Sequence, residues 1–357
     1  MKTIIATHLY NDLSGSPRVF RQALQALSDK GHKVHLYTSQ SEKGFLNDLE
    51  FTENFFYPYK WSESRFYTLY QFIITQLGLF IKLFRYRKTD VEFYINTVLP
   101  FGFALAAWIM RKKVIYHVHE VSVKPRLLKL FLFGVMKLSA HKIIYVSDYL
   151  KDAVPFSGND EVVIPNALSN DFFEDAATYK TQGLIPKSIL MICSLKAYKG
   201  INEFIMLAQK LGQYTFRLVL NAERDAINDY FNGVDLPENL ELYPAQKNLF
   251  AFYRETGMVL NMSIPGEWNE TFGLTALEAM AYGKPVIVPP AGGIAELVND
   301  CHNGYCIHPK NIGLMAEAID TVYRVKGLYQ FLAENARINV ERYTEKRFSK
   351  RLLKAFG

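Results

Sequence analysis

The chain has 357 residues, more than twice the size of an ordinary domain, and with 49% hydrophobic and 21% charged residues it holds material for two cores, which excludes a disordered or fibrous protein. Three cysteines, Cys193, Cys301 and Cys306, are too few and odd in number for a disulfide scaffold and fit a reducing cytoplasm. The net charge of +6 is lopsided, with 21 Lys and Arg against 14 Asp and Glu in residues 1–170 and 20 against 21 in the rest, so the first half is expected to meet an anionic partner: a membrane surface, a phosphate-bearing substrate or nucleic acid.

The N-terminus has an apolar patch too brief for a signal-peptide core, and it reads as a first strand over 2–8. Further runs of strand length follow at 33–38, 92–96, 113–118 and 142–146, with amphipathic stretches between most of them. The longest uncharged apolar stretch, Phe66 to Ile81, has 16 residues, below the roughly 20 that a spanning helix needs. After a polar boundary at 168–186 a second series of strands is predicted at 188–193, 216–220, 240–243, 259–262, 285–288 and 305–307. Strands alternating with helices imply an α/β protein of two Rossmann-like, doubly wound parallel-sheet domains facing a central cleft, over 1–170 and 183–340. The tail from Asn335 to Gly357 reads as a polar helix with an apolar seam, and residues 341–357 are expected to cross back to the first domain.

Several side chains stand where strands give way to loops. His117 and His119 alternate with Val118 and point to one side of a strand, an arrangement open to metal ligation or to core packing, but no third ligand has recognisable spacing. Residues 265–305 are the most informative. Phe272, Gly273 and Leu274 leave a loop and enter a helix ended by Gly283, whose first turn offers free N–H groups and a positive dipole end to a phosphate. Glu270 precedes that helix and Glu278 lies inside it, a spacing that lets one carboxylate approach a sugar while the other accepts from ribose hydroxyls. Gly292 and Gly293 follow a strand and would let backbone amides approach a ligand. The plain alternative is two surface carboxylates and two turn glycines.

The string ETFGLTALEAMAYGKPVI, followed by GGIAE and NGY, resembles the nucleotide-sugar binding region of retaining glycosyltransferases of family 4, the group 1 glycosyl transferases, which have the GT-B fold. The resemblance implies Glu278 on the nucleotide ribose and Glu270 near the donor sugar, with Thr271, Phe272, Gly273 and Leu274 beside sugar and phosphate. It places Lys199 on the diphosphate and offers Lys196 in place of an arginine the family carries where this chain has Ser194. In the first half it assigns Gly15 to the glycine-rich turn that meets the donor, Ser16 and Arg18 to the acceptor side, His119 to the donor sugar or acceptor, and Glu120 to the acceptor side beside it. Ser147 and Asn166 also match family positions.

What the resemblance implies is sugar transfer with retention from a nucleotide diphosphate sugar, UDP-linked, to a hydroxyl of a lipid-linked or polysaccharide acceptor in cell-envelope glycan synthesis. Catalysis then rests on His119, Glu270 and Lys199, with no cofactor. The chain has no Asp-x-Asp triplet to clamp a cation on the diphosphate, so the expectation is metal independence. Residues 56–88 and 124–137 combine aromatics or leucines with lysines and arginines, as membrane-interface segments do, although core helices of the sheet explain them too. The expected location is cytoplasmic and peripheral on the inner face of the cytoplasmic membrane. No stacking motif or basic docking helix accompanies the charge, so nucleic acid is not an expected partner. The competing readings are a nucleotide-sugar epimerase of the same fold and a non-catalytic nucleotide-sugar binding protein. The oligomeric state is not legible.

Overall fold

The computed structural model describes residues 1–40, 44–47, 49–59, 64–156, 160–179 and 185–357. The predicted start of the second domain at 183, part of the polar boundary, and residues 60–63 of the aromatic segment lie outside the described residues. The chain divides into two compact units: Met1–Ala167 with Glu345–Gly357, and Leu168–Thr344.

The first unit is built on seven parallel strands: β1 (Thr3–His8), β2 (Lys33–Ser39), β3 (Glu53–Tyr57), β4 (Val91–Asn96), β5 (Lys113–Val118), β6 (Lys142–Tyr145) and β7 (Glu161–Val163). Their spatial order is β3-β2-β1-β4-β5-β6-β7. The second unit has six parallel strands, β8 (Ser188–Cys193), β9 (Thr215–Leu220), β10 (Leu240–Tyr243), β11 (Met258–Leu260), β12 (Val286–Val288) and β13 (Gly304–Cys306), in the order β10-β9-β8-β11-β12-β13. Each sheet therefore reverses its winding once, between β1 and β4 and between β8 and β11. The crevice outside the carboxyl ends of strands at such a point is where doubly wound sheets bind ligands.

The inner strands are near-continuous apolar runs because helices cover both faces of a parallel sheet. The helix Gly15–Asp29 shows the matching pattern, burying Val19, Phe20, Ala23, Leu24 and Leu27 on one stripe. Each large side chain so buried contributes about 1.5–3 kcal/mol. Two strands, β3 and β7, were not predicted from sequence. Both are sheet edges with mostly half-buried residues, so neither carries the continuous apolar run that marks an inner strand.

The predicted polar helix over 335–357 is two helices, Leu328–Val340 and Glu345–Phe356. A single 3-10 turn, Glu341–Tyr343, and an extended Thr344 separate them. The last helix buries Phe348, Leu352 and Phe356. Phe356 meets the Tyr94 ring edge-on at 5.0 Å, and Lys142 donates from Nζ to the Ala355 carbonyl at 2.7 Å, satisfying one of the open carbonyls of that helix end.

Candidate functional site

In the second unit the residues singled out from sequence gather at the reversal between β8 and β11. β8 ends at Cys193 and the chain turns through the 3-10 segment Ala197–Lys199 into Gly200, whose φ of +78° is open to glycine. A Cβ on Gly200 would stand 2.1 Å from the Met262 carbonyl oxygen, so the turn packs directly on the segment leaving β11. That close approach brings Lys199 to Glu270: Nζ lies 2.5 Å from Oε1. Ser263 donates from Oγ to the same oxygen at 2.8 Å. Burial pushes the Glu270 carboxyl up, but the Lys199 ammonium and the hydrogen bonds from Lys199 and Ser263 outweigh it and hold the group below the usual carboxylate range. Lys199 Nζ also sits 4.8 Å above the Trp268 ring, which stacks on Tyr198 with centroids 5.1 Å apart.

The Glu270 backbone is clamped as firmly as its side chain. Gly293 donates its amide to the Glu270 carbonyl at 2.7 Å, and a Cβ on Gly292 would approach that oxygen to 2.5 Å. Of the glycine pair expected to open amides to a ligand, Gly293 thus gives its amide to the Glu270 loop, and Gly292 packs against it. Thr271 and Phe272 carry the chain to Gly273, where φ is +110° and a Cβ would lie 2.4 Å from Ile294 Cγ1. Phe272 is buried, with its ring against Tyr343 at 5.9 Å. The helix Leu274–Ala281 starts immediately after Gly273. Glu278 is buried inside it and accepts from the Tyr253 hydroxyl at 2.6 Å through Oε2, so it is an interior carboxylate rather than a solvated one. Lys196 is exposed.

In the first unit the reversal between β1 and β4 collects a different set. Asp12 Oδ1 accepts from Ser14 N at 2.9 Å, shaping the turn that leads into the helix Gly15–Asp29. Gly15 is exposed at the helix start, with Ser16 and Arg18 half-buried behind it. His8 ends β1, Asn96 ends β4, and His119 and Glu120 follow β5. Asn96 is fully buried, with Nδ2 2.9 Å from His8 Nδ1 and 3.3 Å from the Ser16 carbonyl, while Oδ1 faces His119 Nε2 at 2.9 Å. Burial pushes His8 down to about 4, against a partial offset from the Tyr10 and Asn96 backbone carbonyls. Burial and the neighbouring rings of His117 and His8 hold His119 well below the ordinary range. Burial pushes the Glu120 carboxyl up to about 7, although the backbone amides of His119 and Val98 oppose it.

His117 is fully buried, within 2.9 Å of the Tyr94 hydroxyl through Nδ1, and pushed by burial down to about 3. Its environment is that of a core residue. Among the described residues no group of three or more His, Cys, Asp and Glu gathers as a metal-ligand set. Ser147 caps the helix Asp148–Ala153 by accepting from Leu150 N, and Asn166 is buried. Sequence reasoning passed over His8, Asn96, Tyr253, Ser263 and Trp268. For the first two a signal existed, since each is the polar residue that terminates an apolar strand.

Unit 1 also carries an apolar outer face. The helix Arg65–Leu83 exposes Phe66, Tyr70, Leu77 and Ile81, with Phe66 88% and Ile81 71% exposed. Phe66–Tyr86 is long and apolar enough to cross a bilayer by length and composition, running past the uncharged stretch through Lys82, yet its inner side is docked on the domain. Gln76 Oε1 accepts from the Gly102 amide at 2.9 Å, and a Cβ on Gly102 would meet the Gln76 carbonyl at 2.1 Å, so two helix backbones touch there. The helix Arg126–Ser139 continues the face with exposed Leu127, Leu130 and Phe131, linked through Phe101, whose ring is 5.1 Å from Phe131 and 5.5 Å from Phe72.

Residues 13–172 match the family described as Glycosyltransferase Family 4, and residues 179–339 match that described as Glycosyl transferases group 1. An uncharacterised glycosyltransferase of Methanocaldococcus jannaschii is 32% identical over 165 residues, 44% of this chain and 41% of that protein, so the match spans less than half of the relative's length. An uncharacterised 41.2 kDa protein in the cps region of Klebsiella pneumoniae is 25% identical over 267 residues, 68% of this chain and 71% of its own. The crystal structure of Anabaena HepE in complex with UDP-glucose shares the fold with a TM-score of 0.80 at 19% identity, over 100% of this chain and 99% of that one.

Proposed function

The chain belongs to the family 4, group 1 glycosyltransferases and has their GT-B fold, and on that premise we propose that it moves a sugar, with retention, from a UDP-sugar to a hydroxyl of a lipid-linked or polysaccharide acceptor. The observation that carries the reading is the Lys199–Glu270 pair, a cation and a carboxylate held 2.5 Å apart at the strand reversal of the second unit, beside the start of the helix Leu274–Ala281. In the transfer the bond from the anomeric carbon to the diphosphate oxygen breaks, and the acceptor oxygen bonds that carbon on the face the diphosphate leaves. The acceptor proton passes to the departing diphosphate oxygen. Lys199 and the first amides of the helix stabilise the charge that develops on that diphosphate, with Lys196 as a second point charge. Glu270 orients the sugar, Glu278 accepts from the ribose, and His119 meets a sugar hydroxyl in the first unit, with Gly15 beside the donor and Ser16, Arg18 and Glu120 toward the acceptor. The protein's own cations fill the place of a metal clamp in this scheme.

The UDP assignment draws on the ligand of HepE, and the envelope-glycan acceptor on the location of the Klebsiella relative in a cps region. The apolar face of the first unit supports a peripheral site on the inner face of the cytoplasmic membrane, where a lipid-linked acceptor would be met. The test is incubation of the purified protein with a panel of UDP-sugars and a lipid-linked glycan, with and without chelator, reading product by mass and anomeric configuration by NMR. A retained-configuration product formed equally with chelator supports the reading. Consumption of the donor to an isomeric nucleotide sugar without acceptor, or an inverted product, overturns it.

A further inference from the structure

The hydrogen bonds around Asn96 leave a single consistent assignment of protons. The Ser16 carbonyl can only accept, so the Asn96 atom 3.3 Å from it is the amide nitrogen. That nitrogen has two hydrogens, and the second goes to His8 Nδ1 at 2.9 Å. His8 is therefore bare on Nδ1 and carries its proton on Nε2. The other end of the amide, Oδ1, is an acceptor only, and it faces His119 Nε2 at 2.9 Å. His119 must donate from Nε2. Burial together with His117 and His8 keeps the His119 ring neutral, so Nδ1 has no proton and is an acceptor. Turning the amide over would set Oδ1 against the Ser16 carbonyl and force both rings to exchange tautomers.

The backbone next to Asn96 is built to hold this arrangement. Thr97 has φ of +73°, a left-handed conformation uncommon for a β-branched residue. It is fixed by its amide on the His117 carbonyl at 2.8 Å and by Leu99 N on its hydroxyl at 3.4 Å. Asn96 itself pairs in register with His117 across β4 and β5.

We propose that Asn96 is a positioning residue that locks His119 as the Nε2–H tautomer, so that His119 Nδ1 accepts a hydrogen bond from a hydroxyl of the sugar substrate. The inference rests on the reading that His119 meets a sugar, and it gives that contact a direction: the ring accepts a hydrogen bond rather than delivering a proton. A substrate lacking the hydroxyl, or carrying an ether there, loses the contact and leaves a buried acceptor unmet.

The full chain, labelled with nitrogen-15 in histidine, gives the first arm by NMR at neutral pH, with the His119 signals identified by their loss in His119→Gln. The wild-type ring is expected to show a protonated Nε2 and a bare Nδ1. Asn96→Leu is expected to mix the tautomers. A wild-type ring protonated on Nδ1, or a pure Nε2–H ring in Asn96→Leu, overturns the assignment whatever the substrate. The second arm is steady-state transfer. His119→Asn, whose amide oxygen falls near the position of Nδ1, is expected to keep KM within about threefold of wild type, while His119→Gln raises it about tenfold or more. The reverse order overturns the acceptor role. Because the first arm needs no substrate, a wild-type protein that transfers nothing counts against the proposed function and leaves the tautomer assignment to be decided by NMR.

Discussion

Lys199 Nζ and Glu270 Oε1 lie 2.5 Å apart, and Ser263 Oγ approaches the same carboxylate oxygen at 2.8 Å. The cation assigned to the diphosphate is thus paired with the carboxylate assigned to the sugar, so a bound diphosphate competes with Glu270 for one ammonium group. Lys199→Ala is expected to lower kcat about 10²–10³-fold, the scale of losing one preorganised partner of developing charge. Glu270→Gln is expected to lower kcat as well, yet to tighten inhibition by free UDP, because the amide competes less for Lys199. Inhibition constants for UDP in the two variants check this, and weaker inhibition in Glu270→Gln contradicts the competition.

Glu278 is buried and accepts from the Tyr253 hydroxyl at 2.6 Å. Glu278→Gln keeps an acceptor for Tyr253 but removes the charge that holds ribose hydroxyls, so the Kd for UDP is expected to rise about tenfold or more, the worth of a hydrogen bond to a charged group. Tyr253→Phe should lower the melting temperature while changing that Kd little. Calorimetric titration of both variants separates a ribose contact from a purely structural one, which predicts unchanged affinity in Glu278→Gln.

Stability of the first unit should depend on pH with a definite sign. His8 and His117, pushed down to about 4 and 3, and His119, held well below the ordinary range, take up protons near pH 6.5 when unfolded and stay neutral when folded. The unfolded state binds more protons below that pH, and stability falls as pH drops from about 6.5 toward 4. Glu120, raised to about 7, acts oppositely between about 4.5 and 7, since there the folded state holds the extra proton. Burial lowers His35 of the same unit as well, so four rings act against one carboxyl and the balance is a loss of stability on acidification below about pH 6.5. Urea unfolding at pH 7 and pH 5 measures it. His117→Gln should flatten the slope by about one proton, and a stability that is level or rising toward pH 5 contradicts these buried neutral rings.

The alternation of strands and helices was legible because inner strands of a parallel sheet are buried on both faces and so read as apolar runs. The two edges of the first sheet were not, since β3 and β7 are half-exposed and resemble loop composition, whereas the edges of the second sheet, β10 and β13, were. In the site, Glu270, Glu278 and Lys199 were found through spacing and a family resemblance. Their partners were invisible for a physical reason: Ser263 and Tyr253 reach the glutamates from 7 and 25 residues away, and Asn96 lies 23 residues from His119. Only the fold brings such pairs together. The glycines after β12 read only as a turn in the sequence, for nothing local shows that the Gly293 amide serves the Glu270 carbonyl.

The exposed faces of Arg65–Leu83 and Arg126–Ser139 predict adsorption to anionic bilayers, with apolar side chains entering the interface and Lys82 and Lys129 over the headgroups. Flotation with vesicles containing phosphatidylglycerol at low salt should carry the protein, and neutral vesicles should carry less. Replacing Phe66, Leu77 and Ile81 with glutamate should abolish flotation without lowering the melting temperature. Equal recovery of wild type and variant in the bound fraction contradicts the assignment of this face.

The central claim, that the second unit holds a nucleotide diphosphate sugar through Lys199, Glu270 and Glu278, is tested most directly by thermal unfolding of the full chain against a concentration series of UDP-sugars and of UDP. A ligand that binds only the folded state stabilises it progressively with concentration, by about 2.7 kcal/mol at a hundredfold excess over Kd. The account predicts a rising transition temperature with at least one UDP-sugar, reduced in both Lys199→Ala and Glu278→Gln. A transition that no nucleotide diphosphate or nucleotide sugar moves at millimolar concentration, or that moves equally in wild type and both variants, contradicts it.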